Sequence, residues 1–290
     1  MKKVAFLSID NVHSFKYFDH LLFEPLNKLG WIVEEILWRK KYVNWNDYNA
    51  VIVRSTWDYQ SDPETFLQVL EEINNSSAHL ENDLSILKWN MNKNYLFDLE
   101  KQGVRIVKTI WQNNFPCERA IEYFDHFKVD EIIIKPNISA CADNTFRLTQ
   151  NKLSVEMNRL KSVFNNREFM VQPFMQNIIE EGEFSLLFFD GKYSHTNLKK
   201  PKVNDFRVQA EHGGIFKSVL PEDKLLKCAE NIINKINPTP LYGRVDLVRT
   251  EDNDFALMEL ELIEPSLYLQ VDEDSPQRFA KIFDERMRKI

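Results

Sequence analysis

The chain has 290 residues, of which 43% are hydrophobic, and it carries a formal net charge of -7 at pH 7. This length and apolar content allow one large domain or two to three smaller ones with real cores, so a disordered polypeptide is excluded. Lysine and arginine are spread along the whole chain, and we therefore expect no nucleic-acid partner.

The cysteines and the first residues indicate the compartment. Cys117, Cys141 and Cys228 are odd in number and widely separated, which favours neither a disulfide framework nor a zinc site. The first apolar run ends at Asp10 and is too short for a signal peptide or a membrane span. We therefore expect a protein of the reducing cytoplasm that is not bound to a membrane.

The first eighty residues alternate strands with helices. The predicted elements are a buried strand over Val4–Ile9, an amphipathic helix over Tyr17–Leu29 closed by Gly30, and a second buried strand over Val51–Arg54. Asp62 then caps a helix that has Pro63 at its first position. This alternation predicts a small α/β lobe with a parallel sheet, which we assign to residues 1–82.

A polar and aromatic hexad, Arg54-Ser55-Thr56-Trp57-Asp58-Tyr59, follows the second buried strand. In parallel sheets, ligands bind beyond the carboxyl ends of the strands, so the hexad is a candidate substrate wall. Arg54 suits a carboxylate, Asp58 an ammonium and Trp57 an apolar group, as an amino-acid-like ligand requires. A surface loop with aromatic packing is an equally weighted alternative.

Antiparallel patterns dominate after Leu80. The predicted elements are a helix over Met91–Gln102, strands over Arg105–Thr109, Glu131–Pro136 and Glu168–Pro173, a hairpin of Phe184–Asp190 with Lys192–Leu198, and helices over Pro221–Ile236 and Ser275–Lys289. Lys135 ends one of these strands before a polar loop, where it can reach a phosphate or simply solvent. Glu183 heads another strand and can accept hydrogen bonds from a ribose or merely begin the strand.

Two apolar runs near the C-terminus contain three acids that a folded core disfavours. The strands Leu241–Val248 and Phe255–Ile263 enclose the polar turn Glu251–Asp254 and predict an antiparallel hairpin. If the turn centres on Asp252-Asn253, Asp246 faces Glu259, Arg244 faces Glu261, and all four side chains share one side of the sheet. Opposed carboxylates destabilise a strand pair unless a cation lies between them.

The ligand set indicates which cation is expected. Carboxylate oxygens without clustered histidine or cysteine favour Mg²⁺, with Mn²⁺ as an alternative, and protein-bound Mg²⁺ is commonly shared with substrate phosphates. This chemistry points to a nucleotide enzyme. A salt-bridged hairpin, in which Arg244 and nearby lysines neutralise the acids, is the structural alternative.

Taken in order, these segments resemble the ATP-grasp superfamily over nearly the whole chain. The segments are Lys93 before a glycine-capped break, Lys135-Pro136, the hinge Val171–Phe174, Glu183–Leu186, Gly243–Leu247 and Leu257–Glu261. Three further segments are most similar to the ligase subgroup that includes the ring-closing enzyme of cycloserine biosynthesis, namely Arg54–Tyr59, Trp89-Asn90 with Lys93, and Asp205–Gln209 with Gly213-Gly214. The resemblance implies a combined α/β and α+β fold in which subdomains 83–175 and 176–290 of one ATP-grasp domain, 83–290, clasp ATP.

The resemblance also implies the nucleotide contacts. Lys93 and Lys135 correspond to the lysines that hold the phosphates. The segment Gln172-Pro173-Phe174-Met175 corresponds to the hinge whose backbone meets adenine, and Glu183 corresponds to the ribose ligand.

The resemblance further implies the chemistry. Asp246, Glu259 and Glu261 correspond to metal ligands, while Arg207 and Arg244, with Lys135, steady the transferred phosphoryl group. One departure concerns the loop over residues 137–145, which lacks the glycines that relatives use to approach phosphates, so its covering role is open. His195 and His212 are interpreted as structural rather than as substrate contacts or proton acceptors.

We therefore expect an ADP-forming carboxylate–amine ligase that uses ATP and Mg²⁺ on a small amino-acid-like substrate, with intramolecular ring closure as one form of the reaction. A nucleotide-binding module without turnover is the main alternative, and a kinase that releases a stable phosphorylated product is the third. The oligomeric state is open, a homo-oligomer included.

Overall fold

A computed structural model describes residues 2–12, 15, 17–140, 142–203, 205–209 and 213–290. Three sheets form the framework of this part of the chain. Within the same residues, no helix is both long and apolar enough to cross a membrane.

The N-terminal sheet is parallel, as predicted. Its strands are β1 Lys2–Ser8, β2 Trp31–Leu37, β3 Ala50–Ser55 and β4 His79–Glu81, in the order β2-β1-β3-β4, with helices α1 Phe23–Lys28 and α2 Pro63–Asn74. Every residue of β3 is buried, as expected for a central strand of a parallel sheet. Asp62 caps α2 by accepting a hydrogen bond from the Thr65 amide at 3.3 Å.

The first predicted helix is shorter than expected. Residues Asp19–Leu22 form a 3₁₀ turn, and α1 begins only at Phe23. Proline has no amide hydrogen and its ring clashes with the carbonyl four residues earlier, so Pro25 is tolerated only in the first turn of a helix. The helix therefore cannot start at Tyr17.

The central sheet is antiparallel. Its strands are β5 Ile110–Gln112, β6 Ile132–Pro136, β7 Phe146–Leu148 and β8 Phe169–Pro173, in the order β5-β8-β6-β7. The helices of this region are α3 Leu84–Asn90, α4 Tyr95–Lys101, α5 Glu122–Phe127, α6 Gln150–Val163 and α7 Asn177–Glu180.

Two predictions for this region are wrong in detail. Lys93 lies in the turn between α3 and α4 instead of inside one helix, because its amide bonds the carbonyl of Asn137 at 2.9 Å. The segment 105–109 makes only an isolated bridge, Ile106 with Leu257, and the neighbouring strand begins at Ile110. These residues run beside the edge of the C-terminal sheet without forming a ladder.

The C-terminal sheet is antiparallel and has five strands. They are β9 Glu183–Phe189, β10 Lys192–Lys200, β11 Ile215–Ser218, β12 Tyr242–Arg249 and β13 Phe255–Glu261, in the order β11-β10-β9-β12-β13, with helices α8 Asp223–Ile233 and α9 Ser275–Met287. Asp190 and Gly191, both at positive φ, connect β9 to β10 in the tight hairpin that was predicted.

The acidic hairpin has the predicted register at its acids. Arg244 pairs with Glu261, and Asp246 pairs with Glu259. The next pair is Leu247 with Leu257, which leaves Met258 as an extra residue in β13. The turn is thus centred on Asp252, and the bulge restores the facing that a turn centred on Asp252-Asn253 predicts.

The lobes share packing. Side chains of α9, among them Phe279 and Phe283, join Val4 and Phe6 of the N-terminal sheet in one core. Asn82, at the predicted boundary, bonds the backbone of Leu241, Tyr242 and Leu262. The division into residues 1–82 and 83–290 stays a prediction.

Candidate active site

One cavity collects most of the predicted site residues. It lies between the central and C-terminal sheets, and residues of the N-terminal lobe also line it. The predicted residues among its walls are Trp57, Lys93, Lys135, Gln172, Pro173, Phe174, Met175, Glu183, Arg207, Arg244, Asp246, Glu259 and Glu261. The cavity is also lined by four residues to which the sequence analysis gave no individual role: Tyr59, Lys199, Glu264 and Tyr268. Of these, Tyr59 was included only as the last residue of the hexad.

Three carboxylates of the acidic hairpin converge on this cavity. Each of Asp246, Glu259 and Glu261 offers one oxygen, and these oxygens all lie within 4.8 Å of one another. Asp246 is 1% exposed, whereas the two glutamates on β13 are partly buried. Oxygen atoms at this spacing suit a hard divalent cation.

Cations neutralise the same acids. Arg244 Nε contacts both Asp246 oxygens at 3.1 Å, and Arg244 also bonds Glu261. Lys93 Nζ lies 3.1 Å from Glu259 Oε1. The ion pairs of the salt-bridged alternative are thus present, but they lie on a cavity wall instead of inside a closed core.

The pKa values of the three acids shift in different directions, because burial and neighbouring cations act on them to different extents. Burial opposes the ionisation of Asp246, but Arg244 and Lys199 outweigh it and lower the pKa of Asp246 to about 2. Burial raises the pKa of Glu261 to about 7 against the effect of Arg244. For Glu259, Lys93 and Lys135 overcome burial and lower the pKa. The hairpin therefore holds carboxylates of unequal basicity on one face.

The two predicted phosphate lysines reach the cavity from different elements. Lys135 ends β6, and Lys93 comes from the α3–α4 turn and donates to the Ser139 carbonyl at 2.7 Å. Burial lowers the pKa of Lys135, and the neighbouring Lys93 adds to this effect while Glu259 opposes it. Two ammonium groups near one wall form a positive region opposite the acids.

The predicted adenine hinge follows β8. Gln172 Nε2 donates to Thr109 Oγ1 at 2.9 Å, and the Phe174 amide donates to the Glu131 carbonyl at 3.0 Å. The Arg147 guanidinium stacks 3.7 Å from the centre of the Phe174 ring. These contacts fix the hinge backbone along the cavity edge.

Glu183 contacts a lysine that the sequence analysis missed. Lys199 Nζ lies 2.5 Å from Glu183 Oε1 and 3.2 Å from Asp246 Oδ2, and its side chain is 4% exposed. Burial raises the pKa of Glu183, and Lys199 opposes the rise. Lys199 therefore links the predicted ribose ligand to Asp246, one of the predicted metal ligands.

Arg207 lines the cavity but pairs locally. Its Nη2 lies 2.9 Å from Asp205 Oδ2, and its side chain is 37% exposed. The hydrogen bonds from Arg207 lower the pKa of Asp205. The structure brings Arg207 to the cavity without an ion pair to the hairpin acids among the described residues.

The hexad reaches the cavity only through its aromatic residues. Trp57 and Tyr59 line it, whereas Arg54 is 1% exposed and lies 3.0 Å from Asp19. Ser55 also bonds Asp19, and Thr56 is fully buried. Asp58 accepts hydrogen bonds from Trp38 Nε1 at 2.6 Å and Arg39 Nε at 3.2 Å. The polar members are thus placed behind the wall.

The loop without glycine still uses left-handed backbone. Ala142 and Asn144 have φ of 58° and 50°, conformations that most residues avoid and glycine adopts freely. Ser139, Ala140, Ala142 and Thr145 line the cavity. The loop therefore borders the cavity in spite of its composition.

His195 has the surroundings of a structural histidine. His195 is 3% exposed, its Nε2 contacts the Leu267 carbonyl at 2.9 Å, and burial lowers its pKa. It is a satisfied core residue. His212 lies outside the described residues.

Comparisons of the sequence with known proteins find the same kind of relative for the N-terminal lobe and for most of the chain. Residues 4–82 match the family described as the N-terminal domain of the D-cycloserine synthetase DcsG. The cycloserine biosynthesis protein DcsG of Streptomyces lavendulae is 28% identical over 283 residues, which cover 92% of this chain and 93% of that protein.

Solved structures share the fold. The crystal structure of D-cycloserine synthetase DcsG has a TM-score of 0.88 at 24% identity, covering 98% of this chain and 99% of its own. The ATP-grasp ligase PsnB, complexed with Mg and ADP and a variant of its minimal precursor, has a TM-score of 0.67 at 14% identity, covering 98% of both chains. The predicted fold class is confirmed.

Proposed function

We propose that this chain is an ATP-grasp ligase that couples ATP cleavage to carbon–nitrogen bond formation, because it shares the fold of ATP-grasp ligases and is similar along 92% of its length to a cycloserine biosynthesis protein. ATP phosphorylates a substrate carboxylate, an amine-like nucleophile attacks the acyl phosphate, and ADP and phosphate leave. The observation that carries this proposal is the convergence of Asp246, Glu259 and Glu261 with Lys93 and Lys135 on one cavity.

The cations of the cavity hold the phosphates and stabilise developing negative charge. We assign Lys93 and Lys135 to the nucleotide phosphates, and Arg244 and Arg207, with Lys135, to the transferred phosphoryl group. Positioned charges in a water-poor site stabilise a transition state more than they do in water. The reaction requires no side-chain nucleophile.

The donor set fits a magnesium site. Asp246, Glu259 and Glu261 would hold the metal, since they are oxygen donors and their oxygens already lie close together. Bound Mg²⁺, or Mn²⁺ in its place, neutralises phosphate charge. Lys93 pairs with Glu259 and Arg244 pairs with Glu261, and a metal held by these acids would leave both cations free to contact phosphate.

The nucleotide base lies along the hinge in this proposal. The backbone of Gln172, Pro173, Phe174 and Met175 meets adenine, and Glu183 accepts hydrogen bonds from the ribose. The proposal rests on the placement of these residues along one edge of the cavity that also contains the lysines.

The substrate occupies the opposite end, against the hexad. Trp57 contacts it directly, and Arg54, Ser55, Thr56 and Asp58 contribute as the scaffold of this wall. We propose a small amino-acid-derived substrate, and intramolecular ring closure is supported by the similarity to a cycloserine biosynthesis protein. A reducing cytoplasm is the proposed location, consistent with the free thiols Cys117 and Cys228.

The test is substrate-dependent release of ADP and phosphate. The protein is incubated with ATP, Mg²⁺ and a panel of amino acids, hydroxyurea derivatives and dipeptides, and both products are measured. A ligase releases ADP and phosphate together with one or more panel members. A nucleotide-binding module releases neither, and a kinase releases ADP while the phosphate stays on the product.

A further inference from the structure

A short segment contributes two residues, Glu264 and Ser266, to the cavity wall. Glu264-Pro265-Ser266 follows the acidic hairpin directly, and a donor fixes each of its three carbonyls. The bonds are Trp57 Nε1 to Glu264 at 3.0 Å, Arg54 Nη2 to Pro265 at 2.9 Å and Arg244 Nη1 to Ser266 at 3.4 Å. The hexad thus contributes two of the three bonds, which set the position from which the Glu264 side chain extends.

Within the part of the chain that the structure describes, the Glu264 carboxylate has no protein partner. Glu264 is 8% exposed and lines the cavity. Among the described residues, no basic side chain lies within 4.0 Å of its carboxylate, and no donor hydrogen-bonds to it. The other cavity acids differ, because Lys199 pairs with Glu183 and Asp246, Lys93 with Glu259 and Arg244 with Glu261. A carboxyl group that is buried without a partner can ionise only at a large cost in free energy, so we expect a cationic ligand to supply the partner that lets Glu264 ionise.

The metal site does not supply that cation. The group of carboxylates whose oxygens lie within 4.8 Å of one another contains Asp246, Glu259 and Glu261 but not Glu264. Glu264 belongs instead with the aromatic residues Trp57 and Tyr59, which line the same cavity. After burial, Glu264 is the largest contributor to the raised pKa of Tyr59, which indicates that the two side chains are close. A cavity lined by a carboxylate and aromatic side chains is a favourable environment for an organic cation.

We propose that Glu264 binds the ammonium group of the substrate, with Trp57 and Tyr59 as the aromatic walls of this subsite. The inference rests on the proposed function, since it assigns a charge to the ligase substrate. It gives the ammonium to Glu264 instead of Asp58, whose carboxylate is occupied by Trp38 and Arg39. Arg54 then acts as a positioning residue through the Pro265 carbonyl.

The experiment compares pairs of compounds that differ only in the charged group. Each pair is an amino acid and its 2-hydroxy analogue, such as D-alanine with D-lactate and D-serine with D-glycerate, in both enantiomeric series, and hydroxylamine is added to every assay as the common amine nucleophile that attacks the acyl phosphate. ADP release is measured for the wild type, for Glu264→Gln, which keeps the side-chain shape, and for the control Glu251→Gln in the exposed hairpin turn. KM for MgATP is measured in parallel.

The wild type and the control should prefer the amino member of each active pair. Glu264→Gln should raise KM for that member about 10- to 100-fold, as expected for one charge-assisted hydrogen bond, and should leave KM for the hydroxy member and for MgATP unchanged. Because the ratio is taken within one variant, a partly unfolded sample cannot imitate the result. Release without an amino preference, or an unchanged ratio in Glu264→Gln, would overturn the assignment. No release from any of these compounds or from the wider panel of amino acids, hydroxyurea derivatives and dipeptides would overturn the proposed function, and with it this inference.

Discussion

The acidic hairpin and the hexad both bury ionised side chains, but the two regions bury them in different surroundings. In the hairpin, Asp246 and its neighbours pair with Arg244 and lysines on the wall of a cavity. In the hexad, Arg54 pairs with Asp19 behind that wall. Pairing alone therefore does not distinguish a functional charge from a scaffold charge, whereas access to a cavity does.

The same difference gives the two regions different roles at one site. The hairpin presents oxygen atoms to a ligand, and the hexad orders the segment that follows the hairpin by donating to the carbonyls of Glu264 and Pro265. Substitutions in the hairpin should therefore reduce turnover first. Substitutions of the polar hexad residues should reduce stability first.

The largest effect is expected for Glu259→Gln. The substitution removes a proposed metal ligand, so turnover should fall about a thousandfold or more, since a bound metal contributes several kcal/mol to the transition state. The variant is compared with Glu251→Gln, at an exposed turn position, by steady-state ADP release and circular dichroism. A folded Glu259→Gln protein with full activity would assign the hairpin acids to packing alone.

Arg54→Ala should mainly affect stability. It leaves the carboxylate of Asp19, a residue 5% exposed, without its buried cationic partner, and breaking such an ion pair costs about 3–5 kcal/mol. Arg39→Ala is the control, because its ion pairs are partly exposed and worth about 1 kcal/mol or less. The free energy of unfolding from urea titrations checks the difference. Equal stabilities for the two variants would remove the scaffold role.

MgATP should stabilise the protein against heat. At a concentration of about 100 Kd the ligand adds about 2.7 kcal/mol, which for a chain of this size corresponds to a rise in Tm of about 5–10 °C. The rise should require Mg²⁺, should weaken in Glu261→Gln and should persist in Asp58→Asn. An unchanged Tm at saturating MgATP would contradict the nucleotide assignment.

The last effect concerns pH and Glu264. Burial, and after it Glu261, raises the pKa of Glu264 to about 8 from a usual value near 4.5. The folded protein therefore binds this proton more tightly than the unfolded chain, and the resulting stability is present at low pH and lost as pH rises toward 8. Between pH 5 and 8 the wild type should lose more than about 1 kcal/mol relative to Glu264→Gln. Parallel stability curves for the two proteins would contradict this environment for Glu264.

Local patterns predicted the parallel lobe, the tight turn at Asp190-Gly191 and the facing of the hairpin acids. Those features depend on neighbouring residues and on the two-residue period of strands. The facing of Asp246 and Glu259 also depends on the bulge at Met258, which the sequence pattern does not contain. The predicted turn centre was wrong by half a residue, and the unpredicted bulge shifted the strand back, so the predicted pairing of Asp246 with Glu259 is correct.

The features that were missed depend on contacts between distant segments or on a shift in register. A regular hairpin through Asp190-Gly191 places Leu198 opposite Glu183, but the irregularity between Tyr193 and His195 moves Lys199 to that position. This shift turns Lys199 to the face that carries Asp246. Likewise, the partner of Arg54 lies 35 residues earlier, and the carbonyl that Trp57 bonds lies 207 residues later. No local pattern identifies such partners.

A crystal structure with Mg²⁺ and a non-hydrolysable ATP analogue tests the central claim most directly. The account predicts metal within about 2.0–2.1 Å of oxygens from Asp246, Glu259 and Glu261, with the Lys93–Glu259 and Arg244–Glu261 ion pairs opened toward phosphate. It also predicts adenine against the backbone of residues 172–175. A nucleotide bound elsewhere, or bound here with all three acids still paired to arginine and lysine and no metal beside them, would contradict it.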